Sequence, residues 1–146
     1  YGKRVRPQIV YAVEDTRQDT LTPQAAHYLQ PVPIVAQSNW DAVIDAMVQV
    51  VHGRRGTARH IGLNAPYRIA GQTGTAQVFG LKEAQEYKPD EIAKRLRDHA
   101  LFIAFAPADN PRIAIAVIVE NGGSGSAVAA PIARQIMDAY LVRQKL

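Results

Sequence analysis

Four consecutive residues, Gln72-Thr73-Gly74-Thr75, have types and spacing that could hold a ligand. They follow residues 67–70, whose pattern is typical of a β-strand. In a strand, the hydroxyls of Thr73 and Thr75 would share one face, with Gln72 and Gly74 on the other. Glycine inside a strand often marks the close approach of a ligand or another backbone. A strand of small residues can also pair with an extended peptide while nearby hydroxyls hold its carboxylate. A β-bulge with two solvent-facing threonines would show the same pattern, so both interpretations stay open on spacing alone.

Other kinds of site have little support in the sequence. The stretch AGQTGTAQ at 70–77 lacks the Gly-Lys-Ser/Thr ending of a phosphate-binding loop, and it is not a G-x-G-x-x-G motif. The chain has no cysteine, which excludes disulfides and thiolate chemistry. We expect no metal and no cofactor. The histidines lack the paired spacing of a zinc site, and surface or capping roles are predicted for all four: His27, His52, His60 and His99.

Length and charge set broad limits on the protein class. With 146 residues the chain can bury one core, but it gives no reason to expect two domains. Its net charge of +4 is mild. The basic residues are scattered, without the interleaved aromatics that stack nucleic-acid bases, so no nucleic-acid partner is expected. The longest strongly apolar run, at 113–119, is far too short to span a membrane.

Local patterns predict the elements that precede the candidate residues. A short strand is expected at 9–13, and the proline-containing segment 14–38 is expected to be mostly connection. A helix should begin at a capping box, Ser38 to Asp41, and end before Gly53. This helix carries an apolar stripe along one face, formed by Trp40, Val43, Ile44, Met47, Val48 and Val51.

Three strands are predicted after this helix. The first runs from about 67 to 79 and carries the candidate residues. Two more, at 101–106 and 112–119, are joined in a hairpin by PADNP. Both faces of the third strand are apolar, which predicts a central strand covered on both sides. Its small residues, Ala114 and Ala116, would let a helix pack closely.

Two further segments flank these strands. The charged segment from Leu81 to His99 is predicted to be a solvated excursion, with a short helix after Pro89 that turns Ile92 and Leu96 inward. The glycine-rich NGGSGS at 121–126 leads into a last helix, with a proline in its first turn. The order of these elements indicates an antiparallel sheet covered by helices, which is an α+β fold. The inward stripe of the last helix is predicted to be Val128, Ile132, Ile136, Met137 and Tyr140.

Three stretches in order resemble one known family. The residues QTGTAQ at 72–77 are similar to the Lys-Thr/Ser-Gly-Thr motif of penicillin-binding proteins and serine β-lactamases. More widely, TGTAQVFGLK, RLRDHALFIAFAP and NPRIAIAVIVENGG resemble the end of penicillin-binding protein 2. This family comprises the class B peptidoglycan transpeptidases of rod-shape elongation in Gram-negative bacteria. The resemblance runs from about Val5 to the C-terminus, and it implies the C-terminal portion of a transpeptidase domain.

The resemblance implies roles for the candidate residues. The hydroxyls of Thr73 and Thr75 would bind the carboxylate of a D-Ala-D-Ala stem peptide or of a β-lactam. The backbone N–H of Thr75 would be an oxyanion-hole donor, and Gly74 would leave room for the bound peptide. Elongation-complex membrane proteins would be partners. The implied location is the periplasmic face of the bacterial inner membrane, with an anchor upstream of this chain.

The sequence departs from the family in two ways. Gln72 stands where the family has lysine, and it carries no charge. In addition, no Ser-x-x-Lys or Ser-x-Asn motif occurs in the 146 residues, so the serine that forms the acyl-enzyme is not in this sequence.

We therefore expect residues 1–146 to be the C-terminal part of one transpeptidase domain, inactive alone, with the missing N-terminal part as its partner. A non-catalytic peptide-binding or structural relative with a degenerate site is the alternative. An unrelated stand-alone domain is a third hypothesis, which requires the chain to be complete.

Overall fold

The computed structural model describes residues 2–78 and 93–142. The chain divides into two compact units, Tyr1–Trp40 and Asp41–Leu146. The first unit contains four short strands. Strand β1 (Arg4–Val5) pairs antiparallel with β4 (Tyr28–Leu29), and β2 (Ala12–Asp15) pairs antiparallel with β3 (Thr20–Pro23).

The first unit is more ordered than the sequence predicted. The expected strand at 9–13 begins only at Ala12, and the expected connection at 14–38 contains β3 and β4. A tight turn joins β2 to β3: the Asp15 carboxylate accepts the Arg17 N–H at 2.9 Å, and Asp19 has a φ of 51°. Aspartate tolerates this left-handed backbone. The hairpin was therefore missed because its turn contains no glycine.

Helix α1 (Gln37–His52) begins one residue before the predicted cap and ends before Gly53 as predicted. Within the second unit its apolar stripe is largely confirmed. Val48 and Val51 are buried, and Ile44 and Met47 pack partly buried against the core. The prediction was wrong for Val43, which is exposed. After α1, a single turn of helix, α2 (Arg59–Gly62), precedes the sheet.

The second unit is built on a three-stranded antiparallel sheet with the order β5-β6-β7. Strand β5 (Ala70–Ala76) is shorter than the predicted strand at 67–79, whose last residue lies outside the described residues. The hairpin of β6 (His99–Ala106) and β7 (Ile113–Val119) is confirmed. The α+β class, with helices against an antiparallel sheet, is confirmed as well.

Helix α3 (Ala130–Leu141) covers one face of the sheet, packing against the fully buried Phe102 of β6. The predicted inward stripe is right for Met137, but Ile132, Ile136 and Tyr140 are exposed. Alanines take their place because small side chains let the helix axis approach the sheet, and the larger residues then lie on its flanks. Val128 lies before α3 in a π-helical turn (Gly125–Ala129) and packs partly buried on the core. The buried residues of α3 are Ala130, Ala133, Met137 and Leu141.

The opposite face is covered only in part by described residues. Helix α1 packs on Ala70 and Phe105 at one end of this face. Farther along, Ile103 is 51% exposed and Ile118 is 67% exposed. Within residues 2–78 and 93–142, β7 pairs with β6 alone, so the prediction of a central strand covered on both sides is wrong for this part of the chain. Its alanines, Ala114 and Ala116, are exposed and lie under no described helix.

The end of the charged excursion is held by the turn after β7. Much of the predicted excursion at 81–99, including Ile92 of its predicted helix, falls outside the described residues. Leu96, predicted to point inward, is exposed in a short 3₁₀ turn (Lys94–Leu96). The side-chain amide of Asn121 donates to the carbonyls of Arg95 and Arg97 at 3.1 and 2.8 Å. In the described part of the chain, no helix has the length and apolar character that crossing a membrane requires.

A polar cluster fastens the segment before β5 to α3. The Tyr67 hydroxyl donates to Asp138 Oδ1 at 2.6 Å, and Arg134 Nε donates to both carboxylate oxygens of Asp138. Arg134 also donates to the Ile61 carbonyl at 2.5 Å. Burial, together with the hydrogen bond to Asp138, raises the pKa of Tyr67. The cluster therefore ties the strand that carries the candidate residues to the C-terminal helix.

Candidate active site

Strand β5 carries all four candidate residues and pairs only with β6 among the described residues. Thr73 lies across from Phe102 on the face that α3 covers, and strand alternation places Thr75 on the same face. Gln72 lies across from Ile103 on the other face. Thr73 and Gly74 are partly buried, whereas Gln72 and Thr75 are exposed. One edge of β5 is thus open along the candidate motif.

Gly125 reveals which way the backbone of β5 points. A Cβ added at Gly125 would lie 2.3 Å from both Gly74 O and Leu101 O. Both oxygens can be so close to one point only if Gly74 and Leu101, which are register partners, exchange hydrogen bonds across the ladder. Along an antiparallel pair, such residues alternate with residues whose N–H and C=O groups point outward. The N–H and C=O groups of Thr73 and Thr75 therefore point to the open edge.

Gln72 makes a local contact that the sequence did not indicate. Its Nε2 donates to the Thr73 carbonyl oxygen at 3.2 Å, which agrees with a carbonyl that is not used in the ladder. Gly74, which is predicted to leave room for a bound peptide, would carry any side chain on the same face of β5 as Gln72. A Cβ at Gly74 would lie 3.3 Å from Leu101 Cβ, on the face opposite the threonine side chains. Gln72 thus lies on one face of β5, and the side chains of Thr73 and Thr75 lie on the other.

One residue outside β5, Thr57, contacts the candidate motif, and a second, Ser126, binds Thr57; sequence reasoning missed both. The hydroxyl oxygens of Thr57 and Thr73 lie 3.1 Å apart, and the Ser126 hydroxyl donates to the Thr57 carbonyl at 2.5 Å. Thr57 is 16 positions before Thr73, in a connection with no periodic pattern, so no local signal marks it. The fold alone brings Thr57, Thr73 and Ser126 together.

A cavity of about 300 Å³ adjoins Thr57 at the C-terminal end of α1. Its lining residues include Arg54 and Arg55, which are exposed. Guanidinium groups attract carboxylates and can hold them in a bidentate geometry. The surroundings of Thr57, beside β5, are therefore cationic and suited to an anion.

Two histidines in the second unit, His52 and His99, serve as hydrogen-bond acceptors. His52 Nε2 accepts the backbone N–H of Ile69 at 2.9 Å, and His99 Nδ1 accepts the backbone N–H of Asn121 at 2.9 Å. Burial, followed by the nearby charges of Arg68 and Arg134, lowers the pKa of His52 below its ordinary value of 6.5. Over residues 2–78 and 93–142, no three His, Asp or Glu side chains lie together in a way that could hold a metal ion.

The pKa of His52 predicts how stability depends on pH. A lowered pKa means that the unfolded chain binds a proton at His52 more readily than the folded protein does. Stability from this residue is therefore present above pH 6.5 and is lost as the pH falls from 6.5 toward the folded pKa. An NMR titration of the His52 ring should give a pKa below 6.5, and a pKa at or above that value would contradict the prediction. His52→Gln keeps an acceptor without a titratable ring, so it should flatten the stability profile in this window.

Comparison with known proteins identifies the family. The profile described as "Penicillin binding protein transpeptidase domain" matches residues 1–138. The chain is 44% identical over 143 residues to the peptidoglycan D,D-transpeptidase MrdA of Haemophilus influenzae, covering 96% of this chain and 21% of that protein. The chain thus spans about a fifth of the length of the curated relative it matches.

Solved structures agree with this assignment. Pseudomonas aeruginosa PBP2, in complex with WCK 5153, matches with 47% identity and a TM-score of 0.68, covering 84% of this chain and 25% of that one. Helicobacter pylori PBP2 in complex with MreC matches with 26% identity and a TM-score of 0.62, covering 81% of this chain and 20% of that one. The ceftriaxone acyl-enzyme complex of Mycobacterium tuberculosis penicillin-binding protein A matches with 29% identity and a TM-score of 0.70, covering 96% of this chain and 29% of that one. From its profile match, its relatives and its fold, the chain belongs to the penicillin-binding protein transpeptidase domain family.

Proposed function

We propose that residues 1–146 form the C-terminal part of the transpeptidase domain of a peptidoglycan D,D-transpeptidase. The reaction cross-links stem peptides through an acyl-enzyme on a serine that lies outside this sequence. The observation that carries the proposal is the open edge of β5, which presents the backbone N–H and C=O groups of Thr73 and Thr75. Further support comes from the relative that is named as a peptidoglycan D,D-transpeptidase. In this proposal the chain supplies the wall that binds the substrate or a β-lactam.

Each group on the wall has a chemical task. The stem peptide lies extended along the open edge and pairs with the free N–H and C=O groups of β5. When the serine attacks, the carbonyl oxygen of the substrate becomes negatively charged. The Thr75 N–H donates to this oxyanion and stabilises the transition state. The hydroxyls of Thr73 and Thr75 donate to the substrate carboxylate, with the cationic side chains near Thr57 adding long-range attraction.

Intact mass measurement tests this proposal. The full-length protein is incubated with benzylpenicillin, and one covalent adduct per molecule is expected. The 146-residue chain alone, which has no Ser-x-x-Lys motif, serves as the control and is expected to stay unmodified. A full-length protein that forms no adduct would contradict the proposal and favour a non-catalytic relative.

The proposal extends to partners and location. The N-terminal part of the same domain would cover the exposed face around Ile103 and Ile118, since apolar patches of this kind mark interaction surfaces. Membrane proteins of the elongation complex would bind the full-length protein; the complex of Helicobacter pylori PBP2 with MreC supports this part. Peptidoglycan is assembled outside the inner membrane, so the domain would lie on its periplasmic face and be anchored by an upstream segment. Its activity would then contribute to cell shape.

Restoring the charge at Gln72 should speed acylation. A lysine at this position would add a positive charge to the strand that binds the anionic substrate, where glutamine offers only a neutral amide, and attraction between unlike charges extends beyond direct contact. In the full-length protein, Gln72→Lys is expected to raise the second-order rate constant of acylation by benzylpenicillin about tenfold, which corresponds to about 1.4 kcal/mol. Gln77→Lys, which adds the same charge just past the end of β5, is the matched control. An unchanged rate for Gln72→Lys, or an equal rise for Gln77→Lys, would retire the prediction.

A further inference from the structure

Two contacts link Ser126 to Thr73 of the candidate substrate wall, one through the backbone carbonyl of Thr57 and one through its hydroxyl. The Ser126 hydroxyl donates to the Thr57 carbonyl at 2.5 Å, and the Thr57 hydroxyl lies 3.1 Å from the Thr73 hydroxyl. Thr73 is partly buried, and the Thr57 hydroxyl is a hydrogen-bond partner of its hydroxyl. The contact with Thr57 can therefore orient the Thr73 hydroxyl.

The number of hydrogens on each hydroxyl indicates which residue donates in the contact between Thr57 and Thr73. A hydroxyl has one hydrogen to donate and two lone pairs to accept with. If Thr73 uses its hydrogen to bind a carboxylate, it must accept from Thr57, since the distance allows either oxygen to be the donor. Donation from Thr57 also polarises the Thr73 hydroxyl, and chains of hydrogen bonds strengthen one another in this way. The same contact thus orients Thr73 and makes it a better donor.

The loop that carries Thr57 is rigidly seated. The Ala58 N–H donates to the Val50 carbonyl at 3.0 Å, and the Gly56 N–H donates to the Gly53 carbonyl at 3.0 Å. A Cβ at Gly56 would lie 2.3 Å from the Val50 carbonyl oxygen, so only glycine lets the loop pack this closely on the end of α1. Thr57 is exposed, but its backbone is fixed on both sides and at its carbonyl. These contacts hold the Thr57 backbone in position, with its hydroxyl beside Thr73.

We propose that Thr57 is a positioning residue that orients the Thr73 hydroxyl toward the carboxylate of the stem peptide or β-lactam. The inference rests on the proposed function, because it assumes that Thr73 binds the carboxylate. Thr57 acts through Thr73 and does not touch the reacting atoms. Its loss weakens the binding of the anionic substrate and leaves the chemistry of the acylation step nearly unchanged.

Acylation kinetics of the full-length protein test the proposal. Thr57→Val removes the hydroxyl and keeps the shape of the side chain. It is expected to raise the benzylpenicillin concentration for half-maximal acylation about fivefold to tenfold, in line with one hydrogen bond. The limiting acylation rate should stay within about twofold, as for lost ground-state binding. Thr57→Ser should restore the wild-type values, and Thr22→Val, an exposed threonine on β3, should have no effect.

Two further measurements separate positioning from a merely structural role. In the Thr73→Val background, Thr57→Val should add no further loss, because its partner is already gone. Benzylpenicillin methyl ester has no carboxylate, so the difference between wild type and Thr57→Val should shrink with this probe. Ser126→Ala, which frees the Thr57 carbonyl but keeps its hydroxyl, should give a smaller loss and serves as a second variant if Thr57→Val does not fold.

The outcomes distinguish this inference from the proposed function. A defect in Thr73→Val together with wild-type kinetics in Thr57→Val overturns the role of Thr57 and leaves the substrate role of Thr73 standing. Additive losses in the double variant also overturn it, since Thr57 would then act independently. If Thr73→Val itself acylates normally, both the carboxylate-binding role of Thr73 and this inference fail. If the full-length protein forms no adduct at all, the proposed function fails first.

Discussion

Thr75→Pro is expected to lower the acylation rate of the full-length protein by roughly 10²–10³-fold, the loss typical of removing one oxyanion-hole donor. Proline has no backbone N–H, so the substitution deletes the donor that the proposal assigns to this position. The Thr75 N–H points to the open edge, and proline is tolerated in edge strands where the N–H faces away from the ladder. The fold should therefore survive while the chemistry is lost.

Two controls make the Thr75 prediction specific. Thr75→Val keeps the N–H and removes only the hydroxyl, so it should affect substrate binding far more than the limiting rate. Gly74→Pro deletes the neighbouring N–H, which lies on the ladder side toward Leu101, and should destabilise β5. Stopped-flow acylation by benzylpenicillin and thermal unfolding measure the two effects. The assignment of the Thr75 N–H fails if Thr75→Pro remains folded and acylates at the wild-type rate.

Gly125→Ala is expected to destabilise the protein by about 3 kcal/mol, at the upper end of ordinary overpacking. The added Cβ would lie 2.3 Å from two backbone oxygens, those of Gly74 and Leu101. Backbone oxygens in a paired ladder cannot rotate away as a flexible side chain can. Either the π-helical turn or β5 must move, and a moved β5 displaces the proposed oxyanion donor. Acylation should therefore slow along with the loss of stability.

Gly123→Ala, in the connection just before the π-helical turn, is the matched control. A Cβ at Gly123 would meet nothing within 4 Å, but Gly123 has a φ of +78°. It therefore tests backbone strain without a clash, at a cost of about 1–2 kcal/mol. Urea unfolding should show a larger loss for Gly125→Ala than for Gly123→Ala, and acylation should remain near wild type only in the latter. Equal losses in both variants would mean that strain in the turn, and not contact with β5, sets the requirement for glycine.

Much of the architecture could be predicted because it depends on local patterns. The stripe of α1 and its end before Gly53 follow from periodicity and a helix-stop signal. The hairpin of β6 and β7 follows from two apolar runs separated by turn residues. The motif at 72–75 was located on its strand for the same reason. In each case neighbours in sequence supply the information, so no knowledge of distant contacts is needed.

The buried face of α3 could not be predicted in this way. Two stripes share this helix at helical spacing, one led by Ile132, Ile136 and Tyr140 and one led by Ala130, Ala133 and Leu141. Side-chain hydrophobicity favours burial of the first stripe, but it is the second stripe that is buried in the structure. Two of the four α3 residues buried in the core with Phe102, Ala130 and Ala133, have small side chains. Only the partner surface decides between two faces that the helix itself permits.

By itself, the sequence determined the family, the α+β class, the order of the main elements of the second unit and the strand that carries residues 72–75, which are proposed to form the substrate wall. Only the tertiary structure decided how that wall is presented. From the sequence alone, the N–H of Thr75 could point either to the paired strand or to the open edge. The hydrogen-bonded pairing of Gly74 with Leu101, which the position of Gly125 indicates, places the Thr75 N–H at the open edge. Likewise, only folding brings Thr57 within 3.1 Å of Thr73. Local propensity acts over a few neighbouring residues, whereas these arrangements depend on contacts between distant segments, which form only when the chain packs.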